Sequence, residues 1–262
     1  MISILEKIVK QKEKEVAGFK ELISFKQLLK NNLLDRQPIS LESALKNGSG
    51  VIAEFKRASP SKGIIRENAD VMAITSGYEQ AGASAISVLT DEEFFKAKTN
   101  DLPQARQSVN IPILRKEFII DEYQIFQAKI LGADAILLIA AILTKEKISK
   151  LLQQAHALGL EAIIEVHNEL ELDKLSGNER IIGVNNRNLD TFEVNIETSL
   201  NLASQLGSVV LVTESGLNLD TDISSLIKVG YKGFLVGESF MKRESPSDSC
   251  KEFVQLVNNS TI

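Results

Sequence analysis

Tryptophan is absent from this chain of 262 residues, and there is one cysteine, Cys250. A single thiol excludes an intramolecular disulfide and any metal site built from several thiolates. His156 and His167 are the only histidines, too few for a His-rich metal cluster. Long apolar runs are also missing. The longest, residues 135–143, falls far short of the roughly 18–20 residues that cross a bilayer. The first fifteen residues interleave lysine and glutamate where a secretion signal would carry an apolar core. Positive charge is not in excess, and a net charge of −5 argues against general affinity for nucleic acid or membrane surfaces. A soluble, cytoplasmic protein without a nucleic-acid or membrane partner is expected.

What is present fits one large domain. With 44% hydrophobic residues over this length, the chain matches the size of α/β barrels, which run to about 250 residues as single domains. Residues 1–34 read as helix, with Ile4, Leu5, Ile8 and Val9 on one apolar face and a second short helix around Phe25, Leu28 and Leu29. From residue 51 short apolar strands recur at 51–55, 85–89, 112–115, 135–139, 162–166, 181–184, 209–213 and 233–236, mostly with amphipathic helical segments between them. Ala81-Gly82-Ala83-Ser84-Ala85-Ile86 resembles Leu131-Gly132-Ala133-Asp134-Ala135-Ile136, and residues 229–237 are a weaker third copy. In each, glycine can stop a helix in the left-handed conformation before a buried strand. The strands rarely alternate with polar residues, as parallel strands covered on both faces require. The pattern predicts a (β/α)8 TIM barrel (51–262) preceded by an N-terminal helical extension (1–48). An open doubly wound sheet is the alternative, and no Gly-x-Gly-x-x-Gly turn follows any strand to support it.

The first strand runs Val51-Ile52-Ala53-Glu54-Phe55-Lys56 and enters Arg57-Ala58-Ser59-Pro60-Ser61-Lys62-Gly63. Alternation places Ile52, Glu54 and Lys56 on one face. Opposite charges on an enclosed face are costly unless paired, and such costs are commonly found at functional sites. A structural ion pair is the other reading of this stretch. Barrel sites lie at the C-terminal ends of strands. The predicted ends carry Glu54 and Lys56; then Asp91 to Phe95; Lys116, Glu117 and Phe118; Glu165; Asn185 and Arg187; Glu214, Ser215 and Gly216; and Gly237 and Glu238. Glycines after the last two strands let backbone N–H groups approach a phosphate. Lys56, Lys116, Arg187 and Lys62 supply local cations for an anionic substrate on a chain that is negative overall. His167 is expected at the polar rim and His156 on a helix surface, which leaves acid–base work to Lys and Glu.

Ile52-Ala53-Glu54-Phe55-Lys56-Arg57-Ala58-Ser59-Pro60-Ser61 resembles the signature of the indole-3-glycerol phosphate synthase family. Pro112-Ile113-Leu114-Arg115-Lys116-Glu117-Phe118, Ile163-Ile164-Glu165-Val166, Gly183-Val184-Asn185-Asn186-Arg187-Asn188-Leu189, Thr213-Glu214-Ser215-Gly216 and Leu235-Val236-Gly237-Glu238 follow the same pattern, in order, across essentially the whole chain. The resemblance implies conversion of 1-(2-carboxyphenylamino)-1-deoxyribulose 5-phosphate to indole-3-glycerol phosphate, with loss of CO2 and water, in tryptophan biosynthesis. It implies no metal or organic cofactor, and a monomer is expected. By resemblance Lys116 is the general acid, Glu165 its acid/base partner in dehydration, and Glu54 and Lys56 a pair that orients the substrate. Asn185 and Glu214 hold sugar hydroxyls, and Arg187 supports the Glu54–Lys56 cluster. Ser59, Ser215, Gly216, Gly237 and Glu238 line the phosphate and entrance region. Phe95, Phe118 and Leu189 form the pocket for the aromatic ring, and Ser59-Pro60-Ser61 belongs to a loop that closes over the substrate.

Two positions depart from the family pattern. Phe95 is followed by Lys96-Ala97-Lys98 where Gly-Ser is common, so a stiffer loop or an extra cation is expected. Many members carry Ser in place of Glu238. A carboxylate repels a phosphate, so the backbone N–H is expected to bind there with Glu238 turned away. Two other functions compete. A phosphoribosylanthranilate isomerase-like barrel uses a different acid–base pair. A non-catalytic phospholigand-binding barrel would lack one or more of Lys116, Glu165 and Glu54, and all three are present.

Overall fold

A computed structural model describes residues 3–189 and 191–260. Eight parallel strands close into a barrel: β1 (Val51–Phe55), β2 (Ala85–Leu89), β3 (Ile113–Lys116), β4 (Ala135–Ile139), β5 (Glu161–Val166), β6 (Ile181–Asn185), β7 (Val210–Glu214) and β8 (Tyr231–Val236). Each pairs with its sequence neighbours, and β1 closes on β8 with Ile52 opposite Leu235. The expected strands are all present, with ends displaced by at most two residues. The repeated glycine does what its sequence suggests. Gly132 takes φ 99°, and Ala133 N–H returns to Ala128 O at 3.0 Å, closing the helix Glu122–Leu131 before β4 begins.

The period-2 alternation of each strand sorts its side chains into two layers. One face packs against the surrounding helices through residues such as Phe55, Val88, Leu138, Ile164 and Phe234. The other fills the barrel with Ile52, Leu114, Leu137, Ile163, Val212 and Leu235. Leu41 and Leu45, from the helix Leu41–Asn47, join this inner cluster. Glu161, the first residue of β5, accepts from Glu42 N–H at 2.7 Å, so that helix closes the N-terminal end of the barrel. The C-terminal end remains for chemistry.

The N-terminal segment is broken more than its periodicity predicts. Helix α1 (Ile4–Leu22) starts at a Ser3–Glu6 capping box and stops at Ile23. Ser24 and Gln27 form a second capping box that opens a short new helix, Phe25–Leu28. Met1 and Ile2, included in the expected helix, lie outside the described residues. The segment after β1 is also more ordered in pattern than its Ser-Pro-Ser composition suggests, because Ala58–Ser59 pairs antiparallel with Gly63–Ile64 to make a small hairpin. The helical segment between β5 and β6 is short, Glu169–Leu172. The one between β7 and β8 is Ile223–Lys228, where Asp222 caps the start by accepting from Ser225 N–H. Among the described residues, no helix is long and apolar enough to cross a membrane.

Candidate active site

Alternation carries Glu54 and Lys56 past Ile52 to the C-terminal mouth of the barrel, and the same parity delivers Lys116 from β3, Glu165 from β5, Asn185 from β6 and Glu214 from β7. They meet in a cavity of about 660 Å3. Every site residue singled out from the sequence lines it, from Ser59 and Phe95 through Phe118, Arg187 and Leu189 to Ser215, Gly216, Gly237 and Glu238.

The charged floor divides into two pairings. Lys56 Nζ donates to Glu54 Oε1 at 2.6 Å. Lys116 Nζ sits between Glu165 Oε2, at 2.9 Å, and Glu214 Oε2. Burial works to strip the proton from Lys116, but Glu165, Glu214 and Glu54 outweigh it and hold the ammonium above its ordinary range. Burial pushes Glu165 up, yet Lys116 and His167 pull it below the usual carboxylate range. Glu214 moves the other way, since burial beside Glu165 and Glu54 raises it to about 7 in spite of Lys116. The two carboxylates that flank Lys116 are therefore pushed in opposite directions, the arrangement that acid–base chemistry requires.

Two glycines make this packing possible. A Cβ on Gly183 would lie 2.5 Å from Glu214 Oε1, and one on Gly237 would lie 2.5 Å from Glu54 Oε1 and 2.9 Å from Glu54 Cβ. Asn186 fixes β7 from its neighbour strand. Its Nδ2 donates to Thr213 Oγ1 at 2.9 Å and to Glu214 O at 3.0 Å, while its Oδ1 accepts from Ser199.

Around this floor the cavity has an apolar and a cationic side. Phe95 and Phe118 stand with ring centroids 6.2 Å apart, backed by Leu89, Leu137 and Ile139. Lys62, Arg187, Lys242 and Arg243 supply positive charge to the lining, which also includes Ser215, Gly216 and Gly237. Ser215 holds φ 69°, a left-handed conformation that costs a residue with a Cβ roughly 1–2 kcal/mol.

Several side chains differ from the sequence reading. Glu238 is not turned away. It lines the cavity, contacts Lys242 Nζ and lies 3.7 Å from Arg187 Nη2. Arg187 reaches Glu238 and donates to Phe192 O at 3.2 Å, and among the described residues no hydrogen bond or ion pair joins it to Glu54 or Lys56. Lys96 is exposed and takes φ 54°, occupying a left-handed position that favours glycine, and it adds no cation to the cavity. His167 is half-buried and lines a second cleft beside the cavity, its imidazole enclosed with Nε2 3.2 Å from Glu165 Oε1 and Nδ1 3.1 Å from Glu171 Oε2. Burial lowers its basicity, but the two carboxylates raise it to about 9. His156 is exposed on its helix.

Sequence reasoning missed three contributions. His167 follows Glu165 by two residues, so the alternation that pairs Glu54 with Lys56 would have placed it on the same face. Ile4, Leu5 and Ile8 of α1 line the cavity, so part of the apolar face of the extension roofs the site. Lys12 follows Ile8 by one helical turn and is buried with it. Its Nζ reaches Glu15 at 2.6 Å, Asp91 at 3.0 Å and Glu117 at 3.0 Å, which ties α1 to the loops after β2 and β3.

Comparison with known proteins agrees over nearly the whole length. The family model described as indole-3-glycerol phosphate synthase matches residues 5–253. A Bacteroides thetaiotaomicron protein of that name is 46% identical over 261 residues, covering 98% of this chain and 100% of the relative. One from Carboxydothermus hydrogenoformans is 43% identical, covering 92% and 96%. Among solved structures, thiamine phosphate pyrophosphorylase from Pyrococcus furiosus aligns with TM-score 0.62 at 17% identity, covering 84% of this chain and 99% of that one. The tryptophan synthase alpha subunit of Legionella pneumophila gives 0.60 at 12% identity, covering 87% and 99%. At such identities these structures speak for the barrel alone.

Proposed function

The chain belongs to the indole-3-glycerol phosphate synthase family, and we propose that Lys116 and Glu165 carry the proton transfers of that family's reaction. It is a carbon–carbon lyase of tryptophan biosynthesis. Its substrate, 1-(2-carboxyphenylamino)-1-deoxyribulose 5-phosphate, is closed to indole-3-glycerol phosphate with loss of CO2 and water.

The carrying observation is Lys116 held between two buried carboxylates, 2.9 Å from Glu165, at the floor of a cavity with one apolar and one cationic side. The aromatic ring enters between Phe95, Phe118 and Leu189, and the phosphate lies towards Ser59, Ser215, Gly216 and Gly237. A ketone oxygen beside Lys116 Nζ takes its proton as the ring carbon bonds to the carbonyl carbon. A substrate oxygen that displaces a carboxylate from Lys116 also removes part of what keeps the proton on nitrogen, so binding turns a firmly protonated amine into a better acid. CO2 then leaves against the apolar wall and the ring regains aromaticity. In dehydration one group protonates the departing hydroxyl and another removes the proton from the neighbouring carbon, and Glu165 serves in this pair. Glu54 and Lys56 orient the sugar chain, with Asn185 and Glu214 on its hydroxyls. The family match over residues 5–253 favours this reading over that of an isomerase-like barrel.

The extension and the barrel work as one unit, because α1 supplies part of the cavity roof. A monomeric, cytoplasmic enzyme acting on a free small molecule completes the proposal. The test is incubation of the purified protein with the substrate in buffer containing a chelator, following indole fluorescence and CO2 release. Stoichiometric appearance of both is expected, and absence of turnover would overturn the reading.

A further inference from the structure

Lys56, Lys62, Arg187, Lys242 and Arg243 line the cavity together with Gly216 and Gly237. Two carboxylates stand among them, Glu54, which holds Lys56 at 2.6 Å, and Glu238. Glu238 contacts Lys242, one helical turn on, and lies 3.7 Å from Arg187. Burial raises its carboxyl, but Lys242, Lys56 and Lys62 outweigh burial and hold it below the ordinary range. In the ligand-free chain Glu238 is the anion that faces Lys242, Arg187 and Lys62, while Lys56 is held by Glu54.

We propose that Glu238 is a built-in competitor for the substrate's phosphate, and that Lys242, once released from it, is a phosphate ligand. This rests on the reading of the cavity as a site for a phosphorylated substrate. A phosphate monoester carries a charge of about −1.5 to −2 and three strong acceptor oxygens, against −1 and two oxygens for a carboxylate. The ester therefore outcompetes Glu238 for the shared cations. It does so at a cost, because the displaced carboxylate loses its partners or stays as a like charge beside the phosphate. A singly charged or neutral group gains little in the same exchange, so the pair selects for dianions. The product carries the same phosphate, and Glu238 stands ready to retake Lys242 as it leaves.

The test uses Glu238→Gln and Lys242→Met in the full-length protein, read by steady-state kinetics and by calorimetric titration with inorganic phosphate. Exposed ion pairs contribute modestly, so Glu238→Gln should lower KM and the phosphate Kd by about threefold to tenfold, with kcat within about twofold of wild type. Lys242→Met should raise both constants, and in its background the gain from Glu238→Gln should shrink, since the two residues share one interaction. Unchanged or weaker phosphate binding by Glu238→Gln, or the full gain persisting without Lys242, would overturn the proposal. The titration needs no turnover. Failure of the catalytic reading would appear as an inactive wild type, whereas failure here would appear as equal phosphate affinities.

Discussion

Replacing Lys12 with methionine should unfold the protein more readily, to an extent that depends on pH. The Lys12 side chain is 4% exposed, and its ammonium faces Asp91 at 0%, Glu117 at 3% and Glu15 at 25%. Methionine fills much of the volume but leaves the acidic groups behind. Removing one partner of a buried ion pair costs about 3–5 kcal/mol, because a buried charge is left uncompensated. For a chain of this size that is a fall in Tm of roughly 6–20 °C. The sign of the pH effect follows from the carboxylates. Burial already raises Asp91, with Lys12 opposing it, and Lys12 helps hold Glu117 down against burial. Without Lys12 both move upward, so the folded variant binds extra protons. Its deficit should be full at pH 7–8 and shrink as pH falls towards 4–5, where protonation removes the unpaired charge. Adding Asp91→Asn to the variant should restore part of the loss at pH 8. The assay is urea unfolding followed by circular dichroism across this range. A deficit below about 1 kcal/mol, or one independent of pH, would refute the argument.

His167 gives a linkage of opposite sense. Its folded pKa is raised to about 9, so the stability it contributes is present below its unfolded value near 6.5 and is lost as pH rises through 9. That contribution is on the order of 3 kcal/mol, and His167→Gln should flatten the decline between pH 6.5 and 9 in thermal melts. A variant that keeps the wild-type slope would refute the assignment. At Gly237 a methyl group would meet Glu54 Oε1 at 2.5 Å and Glu54 Cβ at 2.9 Å. Gly237→Ala should therefore displace Glu54 and lower kcat/KM by at least about tenfold in steady-state assays, and an unchanged kcat/KM would contradict this role for the glycine.

The barrel was legible because its signals are local and repeated. Eight apolar segments with helix-stopping glycines ahead of some of them specify parallel strands buried on both faces, and β1, β2 and β4 fall at the expected residues. The charged floor was legible because strand parity is enough to send Glu54 and Lys56 to the same side. What escaped depends on which charges meet after folding. Lys12 looked like one more exposed lysine of α1, since nothing local says that Asp91 and Glu117 converge on it. Glu238 was expected to turn away from phosphate, but Lys242, Lys56, Lys62 and Arg187 act on it and reverse the local electrostatics. The hairpin after β1 was hidden by a loop-like composition, although Ala58 and Ser59 pair with Ile64 and Gly63.

The central claim is that the ammonium of Lys116, held by Glu165 and Glu214, delivers the proton for ring closure. Lys116→Met removes that donor while keeping a side chain of similar length. Measured by indole fluorescence at saturating substrate, kcat should fall by at least about a hundredfold, the scale of a general acid, with KM changed by no more than about threefold. A loss smaller than tenfold would contradict the account and move the acid to another residue of the cavity.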